Sequence, residues 1–225
     1  MPIRFAGLDG EMTGPRVSRH KLFEIAIALE DGPVFSSRIG WEEFEFDPEA
    51  LQAVGVTPDS IREGPPAAQV DEAAAEWLAA QGVEPHSLVV AGWGVTTFDM
   101  PFVATTLPGV MRYLHHHTIE LNALCYTLGG NKPYAGERPE AATWKAMARV
   151  AAEVGLELGA GLKPQWHSAA YDARASLASW QWLRAIAADP LPGNAAPIAP
   201  APLAKAGIYV SPAEAMAAFP EPELV

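Results

Sequence analysis

The sequence is poor in cysteine, in basic side chains and in long apolar runs, and each shortage excludes a class of protein. Its one cysteine, Cys125, allows no disulfide within the chain and fits a reducing cytoplasm. Lysine and arginine number 15 against 27 acidic residues, a formal net charge of -12, which argues against a broad electrostatic grip on duplex nucleic acid. No apolar run reaches membrane-spanning length, so we expect a cytoplasmic protein with no membrane partner.

The order of predicted elements indicates an α/β protein with a mixed sheet. Hydrophobic residues make up 49% of the 225 positions, which is ample for one large domain over residues 1–188. Strands are predicted at residues 3–8, 22–29, 34–39, 41–46, 88–91 and 118–121. Helices are predicted at residues 48–54, 70–80, 122–128, 141–154 and 170–187, with another beginning near residue 99. Residues 189–225 are rich in proline and alanine and are expected to form an extended tail.

Two carboxylates separated by one residue follow the first apolar run. Because strand side chains alternate between faces, Asp9 and Glu11 should point the same way at the end of that strand. Two like charges this close repel and raise each other's pKa unless a cation neutralises them. Carboxylate oxygens suit Mg or Mn, so the pair predicts a divalent-metal shelf, although taken alone it fits a solvated strand end better.

Two further acids and a histidine lie where such a site would need them. Asp99 follows the strand predicted at 88–91, and Asp172 opens the helix predicted at 170–187, with His167 on the loop before it. Two-metal hydrolysis needs acids to hold the ions and a base to accept a proton from the attacking water. Histidine suits that base near neutral pH. Each residue alone fits an ordinary cap or loop position, but their joint occurrence in this order favours a hydrolase.

Taken together, these motifs resemble the DEDDh family of 3′–5′ exonucleases, which includes polymerase proofreading subunits, RNase T and oligoribonuclease. The resemblance extends over residues 3–186 and rests on Asp9-x-Glu11, Phe98-Asp99 and His167-x-x-x-x-Asp172. It implies a ribonuclease H-like fold, a mixed central sheet flanked by helices, with His167 as the general base. It also implies that two divalent ions, Mg or Mn, are held by four carboxylates: Asp9, Glu11, Asp99 and Asp172.

Five residues near these motifs are predicted to contact the substrate. These residues are Gly10, Met12, Thr13, Trp93 and Phe98. An aromatic side chain can stack on a base of a single strand, but for Trp93 core packing is an equal alternative, as it nearly is for Met12. The chain departs from the family where Trp93-Gly94 replaces a His-Asn or Asn, and where Glu120 replaces an Asp.

The predicted function is a metal-dependent 3′–5′ exonuclease that releases 5′-mononucleotides from single-stranded or short RNA or DNA 3′ ends. RNA and DNA both fit, because no motif reports contact with the 2′-hydroxyl. The alternative is a catalytically silent binding module that recruits partners through the tail at 189–225. Oligoribonuclease-like relatives pair as dimers, so a homodimer is a further expectation.

Three consecutive histidines form the remaining conspicuous motif. Successive residues of a strand cannot all converge on one ion, and no cysteine or acid at ligand spacing accompanies His115, His116 and His117. We therefore expect these histidines on a surface loop near the mouth of the active site.

Overall fold

The computed structural model describes residues 3–128 and 168–188, and within them the chain forms a five-stranded sheet. The strands are β1 (Arg4–Met12), β2 (Leu22–Leu29), β3 (Val34–Arg38), β4 (Leu88–Gly92) and β5 (Leu114–Glu120). Their order across the sheet is β3-β2-β1-β4-β5. The pairs β1–β2 and β2–β3 are antiparallel, whereas β1–β4 and β4–β5 are parallel. The mixed sheet predicted from the sequence is confirmed.

Seven helices connect and cover these strands in the described part of the chain. They are α1 (Pro48–Val54), α2 (Pro58–Arg62), α3 (Ala67–Ala80), α4 (Asp99–Thr106), α5 (Pro108–Met111), α6 (Leu121–Leu128) and α7 (Ala169–Ala188). Local signals fix the first two: Asp47 caps α1, and Thr57 forms a capping box with Ser60 at the start of α2. None of the described helices is long and apolar enough to cross a bilayer. The helix predicted at 141–154 and the tail at 189–225 lie outside the described residues.

One face of the sheet carries the large hydrophobic core. Because side chains alternate along a strand, every second residue of β1 and β2 points to this face. The buried strand side chains include Leu8, Met12, Ile25, Ile27 and Leu29. Helices α3 and α4 cover them with Val70, Leu78, Phe102 and Val103. Among the described residues this face holds the largest buried apolar cluster, and the burial of apolar surface is the main driving force for folding.

The opposite face is built of small residues so that one helix can lie directly on the strands. Ala26 and Ala28 of β2 pack against Ala169 and Ala173 of α7. A Cβ added at Gly7 would lie 1.8 Å from the Ala173 carbonyl oxygen. Only glycine at this point of β1 lets the helix backbone approach so closely, and the close approach fixes where the first turn of α7 stands.

Residues 41–46, predicted as a strand, form none, and this prediction was wrong. The structure records only an isolated bridge between Gly40 and Pro66 next to this segment. Side-chain hydrogen bonds hold it instead: Trp41 Nε1 donates to the Leu22 carbonyl at 2.7 Å, and Thr13 Oγ1 donates to the Glu45 carbonyl at 2.6 Å. Trp41 and Phe44 pack in a cluster that includes Phe23 of β2, Leu51 of α1 and Ile61 of α2.

The three histidines lie within β5, so the prediction of a surface loop was also wrong. In the β4–β5 register, Leu88 faces Leu114 and Val90 faces Thr118, so β5 carries two extra residues in this interval. Such a bulge brings neighbouring side chains to one side of a strand. The three imidazole centroids accordingly lie 4.1–5.1 Å apart, and the His117 N–H donates to His115 Nδ1 at 3.0 Å. An edge strand tolerates these polar side chains because it faces solvent.

Candidate metal centre

Asp9 and Glu11 project from β1 toward α7, on one face as predicted. Both lie within the last four residues of β1, at the end of the strand as expected. Pairing with β4 stops at Gly7, opposite Ala91, but pairing with β2 continues as far as Met12. The two acids are therefore held by hydrogen bonding to β2 alone, beyond the point where β1 pairs with β4.

Asp172 joins them from the first turn of α7. The backbone N–H of Asp172 donates to the Ser168 carbonyl at 2.9 Å, which closes that turn. One carboxylate oxygen each from Asp9, Glu11 and Asp172 lie within 4.8 Å of one another. Glu11 and Asp172 are only 8% and 6% exposed, whereas Asp9 is half-buried. Three acids distant in the sequence thus converge at one point.

Asp99 approaches the same region from the other side of β1. It is the first residue of α4 and is 4% exposed, and its Oδ1 accepts a hydrogen bond from the Gly10 backbone N–H at 2.9 Å. This donor is available because β1 no longer pairs with β4 beyond Gly7. A Cβ at Gly10 would lie 2.6 Å from Leu22 Cδ1 and 3.5 Å from Asp99 Oδ1, so a side chain there would crowd this approach.

The electrostatics of the cluster are dominated by burial and by repulsion among its carboxylates. Burial, reinforced by Asp172, Glu24 and Asp99, raises the pKa of Glu11 to about 9. The pKa of Asp9 is raised well above its ordinary value by burial and then by repulsion from Asp99. Burial raises the pKa of Asp99 to about 7, although the hydrogen bond from Gly10 opposes the shift. A divalent cation would relieve this repulsion, and an all-carboxylate donor set suits a hard ion such as Mg or Mn. The residues present fit the predicted metal.

Glu120 organises the loop that carries Phe98 and Asp99. Its Oε1 accepts hydrogen bonds from the backbone N–H groups of Gly94, at 2.7 Å, and Asn122, at 3.3 Å. Its charge also raises the pKa of Asp99. From the sequence, Glu120 was only a departure from the family pattern. Its position at the end of a strand beside β4 is the signal that could have revealed this role.

Glu24 is a second acid that sequence reasoning left without a role. It lies directly opposite Glu11 in the β1–β2 register and raises the pKa of both Asp9 and Glu11. Because directly paired residues of neighbouring strands point to the same face, the alternation that placed Asp9 and Glu11 together could have identified Glu24 once the pairing was known.

The residues predicted to contact substrate fall into different environments. Met12 and Thr13 are buried, and the Thr13 hydroxyl donates to the Glu45 carbonyl and accepts from the Lys21 N–H. Trp93 packs with Leu121 and Trp180, which corresponds to the core alternative. Phe98 is 42% exposed directly beside Asp99. His167 lies outside the described residues, and its neighbour Ser168 is where the described chain resumes.

Several solved structures with a similar fold are those of nucleases. No family model and no curated protein sequence matches this chain. Exonuclease I from Methylocaldum szegediense aligns with a TM-score of 0.55 at 17% identity, over 81% of this chain and 40% of its own. E. coli exonuclease I in complex with a dA16 oligonucleotide aligns with a TM-score of 0.56 at 15% identity, over 81% of this chain and 41% of its own. Cell-death related nuclease 4 (CRN-4) aligns with a TM-score of 0.56 at 12% identity, over 82% of this chain and 64% of its own.

This chain therefore has the ribonuclease H-like fold of the exonuclease I structures, as the sequence predicted. It spans about two fifths of the length of those exonuclease I chains. At these identities the similarity concerns the fold, so what happens at the acidic cluster has to be argued from its own residues.

Proposed function

We propose that this chain is a metal-dependent 3′–5′ exonuclease of the DEDDh type that releases 5′-mononucleotides from single-stranded or short nucleic acid. The observation that carries the proposal is the convergence of Asp9, Glu11 and Asp172, whose carboxylate oxygens lie within 4.8 Å of one another. The fold supports it, because the similar structures are nucleases and two of them are exonuclease I with bound dA16 and dT13 oligonucleotides. A single-stranded substrate also agrees with the net charge of -12, since it needs no broad basic face.

The four acids would divide the work of holding the metal. Asp9, Glu11 and Asp172 form the close group, and Asp99, oriented by the Gly10 N–H, would complete a set for two ions. When bound, Mg or Mn supplies an activated water and stabilises charge on the scissile phosphate and on the leaving 3′-oxygen. The protein's part is to keep the carboxylates fixed, through the β1–β2 ladder and the first turn of α7.

His167 is assigned as the general base that accepts the proton of the attacking water. Only one residue separates it from the start of α7 at Ala169, the helix that carries Asp172, and this supports the assignment. His167→Ala should lower kcat about a hundredfold or more, while His116→Ala, which removes an exposed imidazole of β5, should leave it unchanged. A full rate in His167→Ala would exclude the assignment.

The substrate contacts remain predictions, and Phe98 is the best placed of them. Phe98 is 42% exposed and directly precedes Asp99 in the sequence. Its ring could therefore stack on a terminal base. Phe98→Ala should raise KM with a smaller change in kcat. The homodimer and the cytoplasmic location likewise stay predictions.

The decisive test of the function is the product pattern from a labelled oligonucleotide. Purified protein is incubated with short single-stranded RNA or DNA, labelled at the 5′ end, in Mg or Mn. A ladder that shortens from the 3′ end, release of 5′-mononucleotides, and loss of both with chelator are expected. Internal fragments would indicate an endonuclease, and no products would favour the silent binding module. Glu43→Gln, which removes an exposed charge outside the cluster, is the matched control for carboxylate variants.

A further inference from the structure

Glu24 connects the strand that carries half of the acidic cluster to the helix that carries the rest. In the sheet it is flanked by Glu11 of β1 on one side and by Arg38 of β3 on the other. Paired residues share a face, so this row of three charged side chains lies on the face that α7 covers. Glu24 is half-buried there, and Arg38 partly offsets its charge.

The Glu24 carboxylate lies beside the start of α7, because Ala26, the next residue on the same face of β2, packs in one cluster with Ala169. The backbone N–H of Ala169, the first residue of the helix, donates a hydrogen bond to it. The first N–H groups of a helix have no partner within the helix, and a carboxylate is favoured there by both the hydrogen bond and the helix dipole. A strand side chain thus supplies the contact that a local capping residue usually supplies.

This contact acts on the turn that contains Asp172. The Ser168 carbonyl accepts from the N–H groups of Tyr171 and Asp172, so residues 168–172 form one closed turn, and His167 immediately precedes it. Gly7 sets how closely the helix approaches β1, but a close approach alone leaves the helix free to slide along the strand. The bond from Ala169 to Glu24 fixes its position in that direction.

We infer that Glu24 is a positioning residue, which fixes the first turn of α7 so that Asp172 meets Asp9 and Glu11; this inference rests on the proposed metal site and nuclease activity. Glu24 is not a member of the close carboxylate group found among the described residues. Its role requires an acceptor oxygen rather than a negative charge. Glutamine keeps an acceptor oxygen at the same place and alanine removes it, so the two variants separate positioning from electrostatics.

The experiment compares Glu24→Ala, Glu24→Gln and Glu30→Ala in the full chain. Glu30 is the matched control, because it also lies next to β2 and pairs with α7, but with Arg184 at the far end of the helix, at 3.4 Å. At saturating Mn, Glu24→Ala should lower kcat about tenfold or more with little change in KM, whereas Glu24→Gln should retain most of the turnover. Glu30→Ala should match the unmodified chain. Equal losses in Glu24→Ala and Glu24→Gln, or no loss in either, would overturn the inference.

Two further readouts do not depend on catalysis. Hydrogen exchange at the amides of residues 169–172 should accelerate in Glu24→Ala but not in Glu24→Gln, while exchange in β4 stays unchanged. Mn affinity, measured by calorimetry, should fall in Glu24→Ala only. If the unmodified chain lacked nuclease activity, the proposed function would fail, yet these two measurements would still decide the positioning role. Unchanged exchange and unchanged Mn affinity in Glu24→Ala would rule that role out.

Discussion

The two faces of the sheet use the same strands in opposite ways. On the face covered by α3 and α4, β1 and β2 present large apolar side chains such as Leu8 and Ile27, which are buried in the main core. On the face covered by α7, the alternate positions of the same strands are Gly7, Asp9 and Glu11, with Glu24 opposite. The first face gains stability from burial, whereas the second keeps like charges together at a cost in stability.

This difference shows how one strand can serve folding and chemistry at once. Strand alternation separates the two tasks by one residue, so a substitution at position 8 should affect a different property from a substitution at position 9. The stability cost of the acidic face is offset by the core on the other side. The following predictions test whether the two faces can be separated by experiment.

The largest effect is expected from Asp9→Ala. In the proposed function the acids hold the metal, and the metal lowers the barrier by stabilising charge that develops in the transition state, so kcat/KM should fall about a thousandfold or more. Circular dichroism and the unfolding midpoint should show that the variant is folded and no less stable without metal. A variant that unfolds would instead show that the acidic face also supports the fold, and Glu43→Gln controls for the loss of charge.

Leu8→Ala should lower stability and leave the acidic cluster intact, the reverse of what is expected for Asp9→Ala. Leu8 is 1% exposed in the main core, and removing a buried leucine side chain costs about 2–5 kcal/mol of unfolding free energy. The folded fraction should bind Mn with unchanged affinity. Denaturant unfolding and a Mn titration on the same sample provide the check, and weakened Mn binding in fully folded protein would mean that the two faces are coupled.

Gly7→Ala should affect both properties, since it lies on the acidic face but governs packing. The added methyl would overlap the Ala173 carbonyl oxygen, so α7 must shift away from β1, at a cost of about 1–3 kcal/mol. Asp172 moves with the helix, so turnover should fall together with stability. Denaturant unfolding and kcat, measured on one preparation, test this expectation, and full turnover would show that Asp172 does not depend on this close packing.

The smallest effect is the pH dependence of stability in metal-free protein. The pKa of Glu11 rises from 4.5 to about 9 on folding, so the folded state binds more protons than the unfolded state between these values. Stability should therefore be highest near the lower pH and fall as pH rises toward 9. Glu11→Gln should flatten this slope and stabilise the metal-free protein at pH 8. Unfolding in chelator across this range provides the measurement, and stability that rises with pH would contradict the cluster's electrostatics.

Much of the fold was predictable because its signals are local. The apolar run in residues 22–29 and the Pro-initiated helix at 48–54 are properties of short segments, and both elements appear where predicted. Residues 41–46 were mistaken for a strand because three of the six are aromatic, a residue type enriched in strands. What holds this segment is a pair of distant hydrogen bonds to Leu22 and Thr13, which no local pattern reveals.

The sequence was enough to predict which acids form the cluster, but not which residues position the elements that carry them. Residue chemistry and order were enough to predict that Asp9, Glu11 and Asp172 would come together, and their role as metal ligands stays a prediction. The roles of Glu24 and Glu120 depend on which strands are neighbours and on a register that the sequence does not state. Pairing between β1 and β4 ends at Gly7, and the Gly10 N–H can therefore donate to Asp99. This arrangement is likewise a property of the assembled sheet.

The most direct test of the metal centre is a Mn titration of the unmodified chain and of Asp172→Asn near neutral pH, followed by calorimetry. Saturable binding in the unmodified chain, loss of that binding in Asp172→Asn and retention in Glu43→Gln are the predicted results. Equal Mn affinity in the unmodified chain and in Asp172→Asn would contradict the convergence of strand and helix carboxylates on one cation site.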